Sequence, residues 1–405
     1  MAQQEQNYYR ASLGLKQEIA PAVAGDYNSP MVDWLRANGH RLELPGLTVR
    51  LAKEFGFCYG VDKAVDMAYE ARLKFPDRRI FLTYEIIHNP RVNHRLQEMG
   101  IIFLSGALKG TLTTDDIAPN DVVLLPAFGV PTDELERLRA KGCVLVDTTC
   151  GSVVHVWKRV EKYARDGYTS LVHGKAIHAE TLATVSQAQR VGGHTLVVRD
   201  MAQAELVCEV IEGKRAPEEV LAFGPLAMSK GFDPATHLIR VGVANQTTML
   251  ASESLAIAER VGISMAARYG RENLAHHFRS FDTICSATQE RQDAILELVA
   301  SGDIDLMLIV GGYNSSNTGH LVELASQKVP SFHIADASEI LSATEIRHKP
   351  AHAKEPVLAH DWLPSHPIRL GITAGASTPN RAIGDTIERI MELRGIAWNP
   401  NSPTS

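Results

Sequence analysis

Val144-Leu-Val-Asp-Thr-Thr-Cys150-Gly-Ser-Val-Val-His-Val-Trp157 changes its period at the cysteine. The run up to Val146 is short and β-branched, like a buried strand, and Thr148-Thr149 breaks it. Beyond Cys150 the apolar residues Val153, Val156, Trp157 and Val160 recur at helical spacing. Strand, small polar turn and amphipathic helix in that order make half of a parallel α/β unit. The order occurs twice more. Leu47-Thr-Val-Arg-Leu51 leads through Gly56-Phe57 to Cys58 and then a helix with Val61, Ala64, Val65 and Ala68. Phe281-Asp-Thr-Ile284 leads to Cys285 and then Ala287, Ala294, Ile295 and Leu298 on a similar face. The intervals between these cysteines are each about one small α/β unit.

Working outward, further β-branched runs alternate with helical patterns. They include Val122-Val-Leu-Leu125, Leu196-Val-Val198, Ile239-Arg-Val-Gly-Val243, Met307-Leu-Ile-Val310 and Arg369-Leu-Gly-Ile372. The expectation is an α/β fold of three pseudo-equivalent domains at 47–149, 150–284 and 285–393. Residues 1–46 show no sustained period and read as an N-terminal extension packed on the surface or partly mobile. Ala335 to Pro367, rich in His, Pro and Ala, reads as a long connection. Residues 394–405 form a flexible tail, frayed from Trp398.

The 405 residues, 45% hydrophobic and 22% charged, are ordinary globular composition, which excludes disorder over most of the length. Apolar runs such as Leu306–Val310 are far too short to span a bilayer, and no signal peptide or anchor is expected. Forty-one basic and 47 acidic side chains give −6, with no long run of either sign. That argues against a dedicated nucleic-acid binder. Five widely spaced cysteines do not make a secreted disulfide framework, so the compartment reads as reducing.

A cysteine at a helix start meets the positive end of the macrodipole, which favours the metal-binding thiolate. Three such thiolates suit a cubane iron–sulfur cluster with one iron left without a protein ligand. Zinc competes, but its sites usually carry close Cys-x-x-Cys pairs and none occurs here. Three buried core cysteines are the plain alternative. Cys143 and Cys208 read as core residues, and His348 to His352 as a solvated loop.

Small polar turns follow several strands: His173 to Thr181, Asn245 to Thr248, Tyr313 to Thr318 and Thr373 to Ser377. Ligands of open α/β sheets bind at strand carboxyl ends, where hydroxyls and helix N-termini hold anions. No Walker motif or Gly-x-Gly-x-x-Gly appears, so a small phosphorylated ligand fits better than a nucleotide. Each turn alone is more often a helix cap. His88 and His178 could donate to such a ligand, and Glu180 is a candidate proton donor.

These blocks together resemble the 4-hydroxy-3-methylbut-2-enyl diphosphate reductase family. The resemblance lies in Phe57-Cys58-Tyr-Gly-Val-Asp-Lys-Ala, Glu85-Ile-Ile-His88-Asn, Asp147-Thr-Thr-Cys150, His178-Ala-Glu180, Gln246-Thr247-Thr248 and Asp282-Thr-Ile-Cys285-Ser-Ala-Thr-Gln-Glu-Arg-Gln. Asn314-Ser315-Ser316-Asn317 and Thr373-Ala-Gly-Ala-Ser377 complete it. It covers about Leu47 to Leu393 in unbroken order. The segment Arg190 to Val243 and the N-terminal extension resemble the longer cyanobacterial and plant-type branch.

The resemblance implies a cloverleaf of three α/β domains around one [4Fe–4S] cluster on Cys58, Cys150 and Cys285. It implies that the substrate's allylic hydroxyl binds the open iron as an alkoxide, and that two one-electron reductions expel water. The products would be isopentenyl and dimethylallyl diphosphate, the last step of the non-mevalonate isoprenoid pathway. Glu180 matches the acid that supplies protons, with Thr247 relaying. His88, His178, Thr248, Ser315, Ser316, Asn317 and Ser377 match the substrate-binding positions. Electrons would come from a ferredoxin or flavodoxin, in a bacterial cytoplasm or a plastid stroma, with neither nucleic acid nor membrane as partner. One departure stands out: Ala127-Phe128-Gly-Val130 carries Phe128 where many bacterial members place a diphosphate-facing histidine. Two other classes share some features. A quinolinate-synthase-like hydro-lyase joins three α/β units around three cysteines, and an iron–sulfur sensor or electron carrier needs no polar pocket.

Overall fold

The computed structural model describes residues 7–399. The chain forms two compact units, each discontinuous in sequence. The first comprises Phe81–Thr83, Thr111–Cys285 and the described part of Met1–Ala11. The second comprises Ser12–Ile80, Tyr84–Gly110 and the described part of Ser286–Ser405.

In the first unit Tyr8–Tyr9, Val144–Asp147 and Val122–Leu125 form a parallel ladder. A second sheet runs Phe278–Ser280, Val241–Asn245, Thr169–His173, Thr195–Val198, every pair parallel. Its central strands are buried residue by residue, because helices cover both faces. Alternate side chains go opposite ways. Val172, Val197 and Ala244 pack with Val156, Val160 and Tyr163 of the helix Gly151–Arg165. Leu171, Val198 and Val243 pack with Val207, Ile257 and Val261. Each Val, Leu or Ile so buried contributes about 1.5–3 kcal/mol.

The second unit holds a five-stranded sheet in the order Ser331–Ile334, Leu306–Val310, Ile368–Ala374, Leu47–Leu51, Arg41–Leu44. Only its last pair is antiparallel. One face packs on Ile383, Ile387 and Ile390 of the helix Asn380–Leu393, the other on Ile295, Leu298, Leu321 and Val322. The sheet departs from the expected segment order. Leu47–Leu51, expected to open the segment 47–149, pairs with Ile368–Ala374 of the segment 285–393.

The extension is structured from residue 7. It carries the helices Lys16–Tyr27 and Pro30–Ala37 and buries Ile19, Tyr27, Met31, Val32 and Leu35. Glu70, fully buried on the helix Tyr59–Lys74, ties it down. Its carboxylate accepts from Leu13 N–H at 2.7 Å, Leu15 N–H at 2.9 Å and Ser12 Oγ at 2.6 Å. The stretch 335–367 contains the hairpin Glu345–His348 and Val357–His360, antiparallel in register. His348 ends its first strand, while His352 is exposed beyond it. Trp398, expected to fray, meets Trp34 edge to face at 6.1 Å. Residues 400–405 of the expected tail lie outside the described residues.

Candidate active site

Cys58 and Cys150 are the last residues before the helices Tyr59–Lys74 and Gly151–Arg165, and Cys285 directly precedes Ser286–Ala300. The third strand is Phe278–Ser280, not Phe281–Ile284 as its apolar residues suggest. All three cysteines are half-buried. Cys143 and Cys208 are fully buried, and burial pushes their thiols up, so they stay protonated core residues.

In the first unit Cys285 sits beside an acid. Its backbone N–H donates to the Thr247 carbonyl at 3.3 Å. Thr247 in turn donates its own N–H to Glu180 Oε1 at 2.7 Å and its hydroxyl to Oε2 at 2.9 Å. Glu180 is 1% exposed, and burial pushes its carboxyl up to about 7 although both Thr247 bonds favour the charged form. A buried carboxyl near 7 can hold and release a proton at neutral pH. His178 caps the helix Ala179–Arg190: its Nδ1 accepts from Glu180 N–H at 3.2 Å. A ring nitrogen that accepts leaves the proton on Nε2, so that nitrogen is the donor. Phe128 packs edge to face on His178, with ring centroids 5.7 Å apart. Cys150 N–H donates to the carbonyl of the neighbouring Ala127 at 2.9 Å.

Gln246 joins these loops, a role that its polar motif did not reveal. Its Oε1 accepts from Lys175 N–H at 3.0 Å and Thr181 Oγ1 at 3.2 Å, and its Nε2 donates to Thr248 Oγ1 at 2.9 Å.

The second unit gathers five of the anion-binding candidates near Cys58, while His178 and Thr248 stand in the first unit. Cys58 N–H donates to Ala376 O at 3.1 Å, and Ala376 N–H donates to Asn317 Oδ1 at 2.9 Å. Asn317 is 2% exposed, and its Nδ2 has no hydrogen-bond partner among the described residues. A buried amide donor left without a partner suits an anion that is not part of the chain. Ser377 Oγ donates to the His88 carbonyl at 3.1 Å. Ser315 caps the helix Ser316–Ser326, accepting from Thr318 N–H at 3.3 Å. Thus Ser315, Ser316, Asn317, Ser377 and His88 come together at one helix N-terminus, which suits an anion.

His88 is buried and oriented by two residues that the sequence reading left without a role. Its Nδ1 lies 3.0 Å from Glu85 Oε2, and Asn314 Nδ2 donates to the same oxygen at 2.8 Å. The fit is tight: a Cβ on Gly312 would lie 2.5 Å from the His88 carbonyl oxygen. Arg291 was also missed. Its guanidinium, 3% exposed, donates to Gly56 O at 2.7 Å, Phe57 O at 3.3 Å and Ala287 O at 2.8 Å, clamping the approach to Cys58.

Among the described residues no group of three His, Cys, Asp or Glu side chains gathers as a metal site, and no helix is long and apolar enough to cross a membrane.

The chain matches the LytB protein family model over residues 49–391. A Gloeobacter violaceus protein is 48% identical over 97% of this chain and 94% of its own length. A Thermosynechococcus vestitus protein is 46% identical over 97% and 96%. Both are named 4-hydroxy-3-methylbut-2-enyl diphosphate reductase. A solved structure of (E)-4-hydroxy-3-methyl-but-2-enyl diphosphate reductase, the terminal enzyme of the non-mevalonate pathway, aligns with TM-score 0.52 and 26% identity. It covers 85% of this chain and 99% of that one. The Plasmodium falciparum E-1-hydroxy-2-methyl-but-2-enyl-4-diphosphate reductase shares the fold with TM-score 0.61, at 21% identity over 87% and 91%. A family model spanning most of the chain, with relatives near half identity over almost all of it, places the protein in the LytB family of 4-hydroxy-3-methylbut-2-enyl diphosphate reductases.

Proposed function

We propose that the protein reduces (E)-4-hydroxy-3-methylbut-2-enyl diphosphate to isopentenyl and dimethylallyl diphosphate. Two electrons and two protons enter, the allylic C–O bond breaks, water leaves and one C–H bond forms. Glu180 carries the reading: it is a buried carboxyl at about 7, doubly held by Thr247 and one residue removed from the backbone of Cys285. Solvated carboxylates are ionised at neutral pH, so this burial is what keeps a proton available.

Cys58, Cys150 and Cys285 would hold one [4Fe–4S] cluster. Three half-buried thiols at helix starts suit such a group, whereas the buried, protonated Cys143 and Cys208 do not. When bound, the cluster would supply electrons singly and an iron without a protein ligand as a Lewis acid. The chain's own residues then divide the remaining work. Glu180 delivers protons at the hydroxyl end, and Thr247, with its hydroxyl on Oε2, relays them. His178 offers Nε2–H, and His88, held by Glu85, offers its imidazole to the diphosphate. Thr248, Ser315, Ser316, Asn317 and Ser377 add neutral donors, which orient an anion without exchanging protons. Electrons arrive from a ferredoxin or flavodoxin, in a bacterial cytoplasm or a plastid stroma.

The test is turnover by anaerobically purified protein with reduced methyl viologen and the allylic diphosphate. Both C5 diphosphates are expected. No consumption of substrate by protein with a full iron complement overturns the reading.

A further inference from the structure

The helix Gly151–Arg165 starts immediately after Cys150, and its outward face is basic. His155, Lys158 and Lys162 are exposed and recur at i, i+3 and i+7, so they share one stripe. None of the three is paired with a carboxylate among the described residues. Neighbouring acids are already engaged: Glu161 by Arg165 and Arg190, and Asp166 by Arg279. Arg159 extends the stripe sideways, its guanidinium carbon 3.6 Å from the centre of the Phe281 ring. Phe281 is 46% exposed and stands four residues before Cys285. On a chain of net charge −6 this is a cationic face with the aromatic Phe281 and the exposed Asp282 at its edge.

We propose that this face, Lys158 and Lys162 with Arg159 stacked on Phe281, is the landing surface of an acidic one-electron carrier protein. The inference rests on the reductase reading, which requires two single-electron deliveries for each substrate. Each docked carrier would be oxidised by one electron and leave. The face suits that task in three ways. It is built from the helix that follows Cys150 and the segment that precedes Cys285, and Lys158 is roughly 12 Å along the helix axis from Cys150. Unpaired lysines attract an acidic partner at long range and let it go readily, because rim charges act mainly on association and are screened by salt. An exposed aromatic supplies the apolar contact that small interfaces favour.

The test uses the full chain, loaded anaerobically, with a plant-type [2Fe–2S] ferredoxin as the probe. Lys158→Glu with Lys162→Glu should weaken binding of oxidised ferredoxin by about tenfold or more at low salt and flatten its salt dependence. Turnover with reduced methyl viologen should stay at the parent rate. Phe281→Ala should weaken binding without changing the salt dependence. The control, Lys328→Glu with Lys354→Glu, makes the same charge change elsewhere and should leave the affinity alone. Parent-like ferredoxin binding by the first variant, or equal weakening in the control, overturns the proposed surface. Viologen separates the two ideas: a parent protein that binds ferredoxin through this face yet fails with viologen refutes the reductase reading and not the surface.

Discussion

Thr247 donates to both oxygens of Glu180, by its backbone N–H at 2.7 Å and its hydroxyl at 2.9 Å, and still the carboxyl is pushed up to about 7. Two charge-assisted bonds would ordinarily hold a carboxylate ionised, so the desolvation of a side chain 1% exposed outweighs them. A carboxyl raised to about 7 is partly protonated at neutral pH, as the proposed proton donor must be.

Turnover should follow the protonated form of Glu180 and fall as pH rises through about 7. Thr247→Val removes the hydroxyl donor that favours the charged form, so its alkaline limb should move to higher pH. Glu180→Gln keeps the shape without the transferable proton and should lose about 10²–10⁴-fold in turnover while still binding substrate. A Gln variant with near-normal turnover would show that the proton comes from elsewhere.

The same carboxyl links stability to pH. Its folded-state pKa, about 7, stands above the ordinary 4.5, so the folded chain binds the proton more tightly. Stability from this group is complete below about pH 4.5 and lost as pH rises through about 7. The shift corresponds to about 3 kcal/mol at full deprotonation. Chemical denaturation of wild type and Glu180→Gln at several pH values should show the gap between them changing in the Gln variant's favour over that window. A pH-independent gap would mean that Glu180 ionises normally.

The strands were legible because parallel strands buried on both faces leave continuous β-branched runs, as at Leu306–Val310. The three cysteines were legible because each stands where a short period gives way to a helical one. Pairing was not. Nothing local in Leu47–Leu51 names Ile368–Ala374 as its neighbour, since register depends on side chains at the other end of the chain. Buried charge was equally hidden. Glu70 and Arg291 carry no local signal of burial, and Glu180 is singled out by its motif as a proton donor without any sign that the fold encloses it. The extension packs, in line with one of its two readings, but its helices are not legible because Lys16–Tyr27 contains Pro21 and Gly25, which blur its period.

Replacing Cys58, Cys150 or Cys285 with Ser should each abolish the visible absorption of the cluster and the bound iron. Cys143→Ser and Cys208→Ser should retain both, with lower melting temperatures, because each puts a hydroxyl in a buried site. Full iron in Cys150→Ser would remove that residue from the assignment.

Asn317 separates anion binding from structure within one side chain. Asn317→Asp keeps the oxygen that accepts from Ala376 N–H but replaces the buried Nδ2 donor with a second oxygen. An added negative charge facing a diphosphate should raise KM at least about tenfold, with the iron retained. Ser377→Ala should raise KM and also lower the melting temperature, because it leaves the His88 carbonyl without that donor. An unchanged KM in the Asp variant would take Asn317 out of the binding site.

Arg291 offers the most direct test of how Cys58 is placed. One guanidinium binds the Gly56 and Phe57 carbonyls, immediately before the cysteine, and the Ala287 carbonyl. Arg291→Met preserves the bulk but leaves these buried acceptors without their donor. A charge-assisted bond of this kind is worth about 1.5–3 kcal/mol. Arg291→Lys should recover only part of the loss, since one ammonium cannot reproduce the planar fork. Arg389 also holds two carbonyls, Ile340 O at 3.2 Å and Leu341 O at 3.1 Å, away from Cys58. Arg389→Met therefore measures the cost of losing carbonyl contacts, together with an ion pair to Glu392 at 2.6 Å, where no cysteine is near in sequence. Both Met variants should melt earlier, but only Arg291→Met should lose iron and bleach faster in air, because only there does the released loop carry a proposed cluster ligand. Equal iron retention in the two would reduce Arg291 to an ordinary buried clamp.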